Sequence, residues 1–257
     1  MEERTNPYAA PEEVSSDELM MAESVESNRI VSYESAGTRA GWARGFLTAE
    51  LVLAVANIVF LVWEIDFARR IAVGQFTNED VAAEGTMLLL LHFMGMIVSI
   101  GSVVAFLMWF HRVHRNLPSL GARMLQFTPA WAVGYWFIPI MNLFRPYQVM
   151  REIWQASDPA LLQSPFSTRV ATRVSSAVVG WWWALFLVMG WLGNIGSRIQ
   201  TIENSTEMFI VGAWILIASN LITVPAALLA IHLVRRTTSN QEECFRLLGE
   251  SALSTAT

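Results

Sequence analysis

The chain has 257 residues and a formal net charge of −5; 54% of the residues are hydrophobic and only 15% are charged. Because soluble globular proteins carry roughly 25% charged residues, this composition excludes an ordinary soluble domain, and we expect no nucleic-acid partner. All 17 basic residues are Arg, and nine of the 22 acidic residues lie within residues 1–34, so the rest of the chain is mildly basic.

Residues 1–40 are acidic and rich in Ser and Glu, and they include Pro7 and Pro11. Such a segment buries too little apolar surface to offset its chain entropy, so we predict a disordered cytoplasmic tail. It contains no apolar core followed by a small-residue cleavage site. We therefore expect the first spanning helix to act as its own insertion signal.

Four apolar runs reach the roughly 20 residues that cross a hydrocarbon core of about 30 Å. They cover residues 43–63, 86–110, 174–195 and 209–234. These runs predict an all-α integral membrane protein with four transmembrane helices arranged as two hairpins. The membrane domain would then cover residues 41–236, and residues 237–257 would form a cytoplasmic C-terminal tail.

A fifth apolar stretch, residues 125–144, is interrupted by Pro129 and Pro139. If it does not span and both termini are cytoplasmic, fourteen Arg lie inside and three lie outside, at positions 69, 70 and 198. If it spans, four more Arg of the central loop move outside, against the positive-inside rule. We therefore predict a multi-pass protein of the cytoplasmic membrane in which this Pro-broken segment is re-entrant or interfacial. Five spans are the alternative.

The central segment contains two predicted helix starts. Thr128 is a suitable N-cap with Pro129 at the first helical position, where the missing N–H costs nothing. The second proline disfavours helix at the residue before it, and Asn142 is placed to cap the backbone groups freed there. Pro146 then begins an amphipathic helix over residues 146–157. Its apolar face is expected either to lie in the membrane interface or to pack on the bundle.

Residues 111–159 read HRVHRNLPSLGARMLQFTPAWAVGYWFIPIMNLFRPYQVMREIWQASDP. The runs HRN, FTPAWAVGYWFIP, NLFRPYQ and EIW in this segment resemble the bacterial membrane-protein family called domain of unknown function 4328 (DUF4328). The resemblance extends more loosely over residues 40–236. It implies a bacterial inner-membrane protein. The family name implies no activity, so function has to be argued from the residues.

Small residues recur along the predicted spans at spacings of three or four, which lets helices approach closely in lipid. The second span has Gly95/Ser99 and Gly101/Ala105, the third has Ser176, Gly180, Ala184, Gly190, Gly193 and Gly196, and the fourth has Ala226/Ala230. This pattern supports a compact bundle or a homodimer without distinguishing the two.

Four arginines of the central region are candidates for binding anionic lipid headgroups or an acidic segment of a cytosolic protein partner. They are Arg112, Arg115, Arg145 and Arg151. Ordinary positive-inside topology already explains arginines here and is the simpler interpretation. The lipid bilayer is the one partner that the composition requires.

Four polar residues lie within or beside the apolar runs, namely Glu50, Asn57, His92 and Asn142. A polar group at such depth is a functional candidate by default. Asn57 and His92 fall at similar depth if the first two spans are antiparallel, which suggests a hydrogen bond between them. For Glu50 the nearest candidate partners are the Trp181 indole N–H and an Arg. Isolated groups favour structural hydrogen bonding over a proton or cation pathway.

The sequence contains no catalytic or cofactor motif, so we expect no cofactor. His111 and His114 have a spacing that can present two imidazoles to one metal, but no Asp, Glu or Cys nearby completes the ligands, and we predict no metal site. The single cysteine, Cys244, excludes an intrachain disulfide. It follows the last span closely enough to permit palmitoylation, although an ordinary cysteine is the simpler interpretation.

Three classes of function remain. The first is a non-enzymatic scaffold, sensor or regulatory module that acts through its Arg- and Trp-rich cytoplasmic loop. The alternative is a small transporter or channel in which the Pro-broken segment lines a cavity. The third is an enzyme that acts on lipid through His114, Arg145 or Glu152. It has the least support, so we expect no catalytic residues.

Overall fold

The structure is a computed structural model that describes residues 33–122, 125–163, 175–202 and 205–255. Its helices are α1 (Gly37–Ala72), α2 (Asn78–Asn116), α3 (Pro129–Gly134), α4 (Arg145–Ala156), α5 (Ala160–Gln163), α6 (Ala177–Ile202) and α7 (Thr206–Thr255). Three short 3-10 turns lie between the helices, at Pro118–Leu120, Tyr135–Phe137 and Met141–Leu143. The described residues contain no β-strand.

Four of these helices are long and apolar enough to cross a membrane, namely α1, α2, α6 and α7. At 1.5 Å per residue, the shortest of them, α6, is about 39 Å long, which exceeds a hydrocarbon core of about 30 Å. The four predicted transmembrane helices are confirmed. The described part of residues 125–144 contains only a six-residue helix and two 3-10 turns, so the five-span alternative is wrong.

The last helix is the centre of the bundle. It packs along both α6 and α1, and α1 in turn packs against α2. The main core lies where α1, α2, α4, α6 and α7 meet, and it contains Trp109, Phe110, Met150, Trp182 and Leu233. A smaller core between α1 and α7 contains Leu61, Ile65, Ala213 and Ile217.

Only some of the small residues bring helices together. A Cβ on Gly212 would lie 2.8 Å from the Gly196 carbonyl oxygen, so α6 and α7 approach backbone to backbone. A Cβ on Gly101 would overlap the Phe46 ring, whereas Gly180 and Gly190 have no neighbouring atom within 4 Å. The spacing pattern therefore predicts the close contact at Gly196, but it does not separate that glycine from glycines that face open space.

Residues 33–36 form an arm that packs on the second half of α7. The Tyr33 and Phe245 rings stack with their centroids 4.4 Å apart, and Ala36 is fully buried. Disorder is therefore wrongly predicted for residues 33–40, because composition alone cannot show that a distant helix supplies a packing partner. Residues 1–32 lie outside the described part of the chain.

The prediction that the C-terminal tail is separate from the membrane domain is also wrong, because α7 continues from the membrane span to Thr255. Thr237 and Gln241 are fully buried, so this extension is part of the packed fold. We call the end of the bundle that holds residues 33–36, Asn116 and Gln241 the terminal end. The end where α1 turns into α2, at residues 73–77, is the hairpin end.

The central segment folds at the terminal end largely as its local sequence predicts. The Thr128 hydroxyl accepts a hydrogen bond from the Trp131 N–H at 3.4 Å, with Pro129 in the first turn of α3. The predicted amphipathic helix is α4. Val149, Met150 and Ile153 on its apolar face are fully buried in the main core, so this face packs on the bundle. Each such burial contributes about 2 kcal/mol.

Candidate functional site

A buried hydrogen-bonded cluster joins α2, α4 and α7 at the terminal end. The Gln241 side-chain amide donates to the Val113 carbonyl oxygen at 2.8 Å and to the Ser157 hydroxyl at 3.0 Å. Its amide oxygen accepts from Asn116 Nδ2 at 3.3 Å. We call Asn116, Ser157 and Gln241 the polar junction. Because these three side chains are buried and mutually bonded, the ends of three helices are held in one arrangement.

A second buried pair links α2 to α4. The His114 imidazole is fully buried, and its Nε2 lies 3.2 Å from Glu152 Oε1. The other carboxylate oxygen of Glu152 accepts from the Gln126 backbone N–H at 2.6 Å. Glu152 thus connects the start of the central segment to two helices. Its carboxylate is used structurally and is only slightly exposed.

The N-terminal arm is attached to α2 by charge. Arg112 is buried, and its guanidinium forms an ion pair with Glu34 at 2.5 Å. The same carboxylate pairs with Arg39 at 3.4 Å, and the Glu34 carbonyl oxygen accepts from Asn116 Nδ2 at 2.8 Å. Burial, together with nearby Glu242 and Cys244, raises the pKa of Tyr33 to about 12, so the arm presents a neutral phenol.

Arg145 occupies the most unusual position in the central segment. Its guanidinium carbon lies over the rings of Phe127, Tyr135 and Phe144, at 5.7, 5.6 and 5.5 Å from their centroids. One guanidinium N–H donates to Gln148 Oε1 at 2.9 Å. No carboxylate of the described residues pairs with it, and its Nε has no acceptor among them. We call these five residues the arginine platform.

The four candidate arginines have different surroundings. Arg112 is already paired with Glu34, so it is not free for a ligand. Arg115 is exposed beside Arg112 on the last turn of α2. Arg145 is partly buried in the platform. Arg151 is exposed on α4, and its guanidinium carbon lies 5.7 Å from the centroid of the Tyr147 ring. A shared ligand for all four stays a prediction, and Arg145 is the best-placed member.

The intramembrane polar residues find different partners from those expected. Glu50 Oε1 accepts a hydrogen bond from the Ser99 hydroxyl at 2.8 Å, and Trp181 is exposed. His92 Nδ1 lies 2.9 Å from the carbonyl oxygen of Leu88, one turn earlier in the same helix. No hydrogen bond joins it to Asn57 in the described structure, so that proposed pair is wrong.

Asn142 also departs from its expected role. Its backbone N–H donates to the Ile138 carbonyl oxygen at 2.8 Å, which closes the turn after the second proline. Its side-chain oxygen is buried and has no partner among the described residues. The side chain therefore does not cap the break. It lies next to Leu143, whose carbonyl oxygen accepts from the Trp183 indole N–H at 3.0 Å.

Sequence reasoning missed the residues that organise the terminal end. Gln241 and Glu34 lie in segments interpreted as tails, and their partners Val113 and Asn116 on α2 are more than 75 residues away in sequence. The His114-Arg115-Asn116 motif was a usable signal, because two of its three side chains are buried in polar contacts. Cys244 is also buried, with its sulfur 3.7 Å from the Ser157 carbonyl oxygen, which does not suit palmitoylation.

Four membrane-length helices, a buried polar end and the lack of β-strands in the described ranges define an all-α integral membrane protein. Within those ranges, no three His, Cys, Asp or Glu residues are grouped so that they could hold a metal ion. A family model described as domain of unknown function (DUF4328) matches residues 73–239. The chain belongs to this family. No curated protein and no solved structure matches it.

Proposed function

We propose that the chain is a non-enzymatic regulatory module of the cytoplasmic membrane, which binds anionic phospholipid headgroups at the arginine platform. The observation that carries this proposal is Arg145, a permanent cation held over three aromatic rings without an acidic partner among the described residues. A guanidinium binds a phosphate in a fork of two N–H donors. One guanidinium N–H donates to Gln148 and the Nε is buried without an acceptor among the described residues, so the guanidinium keeps hydrogen-bonding capacity that the described fold does not use.

The surroundings of Arg145 suit a site at a membrane surface. Trp131, Phe137 and Ile140 on the neighbouring turns are exposed, the last two by 70% and 73% of their surface. Exposed apolar and aromatic side chains beside an arginine are favourable where headgroups meet hydrocarbon. This supports an interfacial or re-entrant placement of residues 125–144.

A route from the platform to the rest of the protein runs through α4. Arg145 is the first residue of this helix, and Ser157 follows its last residue. Ser157 is bonded to Gln241 of α7, so a shift of α4 on headgroup binding would act on the polar junction. This connection supports a sensor or regulator of lipid composition, or a scaffold for a cytosolic partner, over a passive anchor.

Two observations weigh against an enzyme acting on lipid. The His114 imidazole is fully buried and faces Glu152, so it does not reach a headgroup. Glu152 itself accepts from Gln126 and contacts His114, which leaves little of its carboxylate for proton transfer to a substrate. A general acid or base must lie within hydrogen-bond reach of the reacting group.

We expect anionic lipid to bind through Arg145. Purified protein in neutral detergent should gain thermal stability on addition of phosphatidylglycerol and much less on addition of phosphatidylcholine. Arg145→Gln should weaken the phosphatidylglycerol effect about tenfold in apparent affinity, which corresponds to about 1.4 kcal/mol. Lipid titration followed by thermal unfolding measures it.

The matched control is Arg69→Gln, which removes the same charge from an exposed arginine near the hairpin end. Its lipid titration should equal that of the unmodified protein. Equal responses to both lipids, or equal losses in the two variants, would reject the platform as the binding site.

The terminal end is proposed to face the cytoplasm, because the positive-inside rule favours that side for most of the arginines. In a Cys244→Ala background, Gln126→Cys and Gln75→Cys place a single thiol at exposed positions at opposite ends of the bundle. A membrane-impermeant maleimide added to intact cells should label position 75, and position 126 only after lysis. The reverse pattern would overturn the orientation, and with it the cytoplasmic placement of the platform.

A further inference from the structure

Three arginines lie around the N-terminal arm at the terminal end. Arg39 is in the first turn of α1, and Arg112 and Arg115 are in the last two turns of α2. Residues three apart on a helix are neighbours on its surface, so the two arginines of α2 lie side by side. The Glu34 carboxylate joins both helices, because its Oε1 lies 3.4 Å from Arg39 Nη1 and its Oε2 lies 2.5 Å from Arg112 Nη1. We call Arg39, Arg112 and Arg115 the arm site.

Arg112 is the buried member of the arm site. Its side chain is only 9% exposed, whereas that of its partner Glu34 is 58% exposed. Its Nε is buried and has no acceptor among the described residues. A buried cation that loses its only anion is strongly unfavourable, but an exposed carboxylate is readily hydrated. The arm can therefore leave Arg112 easily only if another anion takes the place of Glu34.

The arm site carries more positive charge than the arm neutralises. Its three guanidiniums share the single carboxylate of Glu34, and no acidic group of the described residues forms an ion pair with Arg115. Glu242 also contacts the arm, but it accepts from the Ser35 hydroxyl at 3.1 Å. An anion with more charge and more acceptor oxygens than a carboxylate would satisfy the arm site better than Glu34 does.

We propose that the arm site binds a phosphate group, which displaces Glu34 and releases the N-terminal arm. A phosphate monoester carries a charge of about −1.5 to −2 at neutral pH and three strong acceptor oxygens, and guanidinium groups bind it in a fork. The phosphate belongs either to a lipid headgroup or to a soluble molecule, since both present the same oxygens to the arginines. The arm site does not include Arg145, so this binding is separate from the arginine platform.

Phosphate binding is coupled to the attachment of the arm, because Glu34 and the phosphate compete for the same arginines. Once the carboxylate is displaced, the arm keeps the stack of Tyr33 on Phe245 and the hydrogen bond from Asn116 Nδ2 to the Glu34 carbonyl oxygen. It loses the contacts that tie it to two arginines. Glu34 is thus a built-in competitor that holds the arm in place when no phosphate is bound.

Binding of radiolabelled inorganic phosphate to the full-length protein tests the proposal, by ultrafiltration in neutral detergent at constant ionic strength. Every protein carries Arg145→Gln, so that the platform does not contribute. Arg112→Gln should weaken phosphate binding about tenfold or more. Glu34→Gln should strengthen it about threefold to tenfold, because removal of the competitor raises the fraction of molecules whose site is open. An ion pair with a purely structural role would not give opposite shifts for its two partners.

The source of the phosphate is distinguished by competition. Water-soluble dihexanoylphosphatidic acid is added to protein that holds the radiolabelled phosphate. Displacement at concentrations at least tenfold below those of unlabelled phosphate assigns the arm site to a lipid headgroup. Displacement only at similar or higher concentrations assigns it to a soluble phosphate.

The matched control is Arg246→Gln, which removes an exposed arginine paired with two acids of its own helix at the same end, and which should leave phosphate binding unchanged. Arg115→Gln changes an exposed residue and should weaken binding about threefold, so it keeps the test decisive if Arg112→Gln does not fold. The proposal is overturned if Glu34→Gln protein binds no phosphate or binds it no more tightly than its parent. Equal affinities in the Arg115 and Arg246 variants would also overturn it.

Discussion

Substitution of Gln241 by methionine is expected to destabilise the protein by about 3 kcal/mol. Methionine has a similar length but cannot donate or accept as the amide does. The Val113 carbonyl and the Ser157 hydroxyl would each lose a buried donor, and Asn116 would lose an acceptor. A buried group left without its partner costs about 1–3 kcal/mol.

The only cysteine of the chain reports this unfolding. Cys244 is 2% exposed, so a fluorogenic maleimide should react with it only when the terminal end opens. The rate of labelling during heating in detergent gives the unfolding midpoint of each variant. The control is the same substitution at exposed Gln75, which should change the stability by less than about 0.5 kcal/mol. A Gln241 variant as stable as the control would show that the polar junction is not cooperative.

Gly212→Ala is expected to separate α6 from α7 and to cost about 3 kcal/mol. The new Cβ would lie 2.8 Å from the Gly196 carbonyl oxygen and 3.1 Å from the Gln200 backbone nitrogen. Backbone atoms of a neighbouring helix cannot move aside as a side chain can, so the whole helix must shift. The Ser219 hydroxyl bond to the Met189 carbonyl oxygen, 2.8 Å long, would be strained by that shift.

The comparison is Gly190→Ala on α6, where the added methyl meets no atom within 4 Å. Alanine is the better helix former by up to about 1 kcal/mol, so this variant should be neutral or slightly more stable. Thermal unfolding of both variants in the same detergent should therefore give shifts of opposite sign or very different size. Similar small shifts in the two would mean that the helices are held elsewhere.

Local chemistry accounts for the parts of the fold that the sequence predicts correctly. The long apolar runs become α1, α2, α6 and α7, because a backbone inside lipid must bond internally. Thr128 caps α3 ahead of Pro129, and the apolar spacing of residues 146–157 produces the buried face of α4. Each of these features depends on residues within a few turns of one another.

Most of the errors concern contacts between distant segments. Gln241 bonds to a carbonyl oxygen 128 residues away, and Glu34 of the N-terminal arm forms an ion pair with Arg112 on α2. The sequence around Gln241 and around Glu34 does not distinguish them from exposed polar residues. Glu50 bonds to Ser99 of α2, 49 residues away, and the sequence does not show which residues of two spans face each other.

The last helix has a mechanical consequence. It runs for 50 residues from the membrane to Thr255, with Pro225 inside its apolar part. Proline removes one backbone hydrogen bond, so the helix bends most easily there. The portion beyond Pro225 is about 45 Å long, so a tilt of about 10° at the proline displaces its far end by about 8 Å. Because this portion is bonded to α2 and α4 through the polar junction, a tilt at the proline would carry the whole terminal end with it.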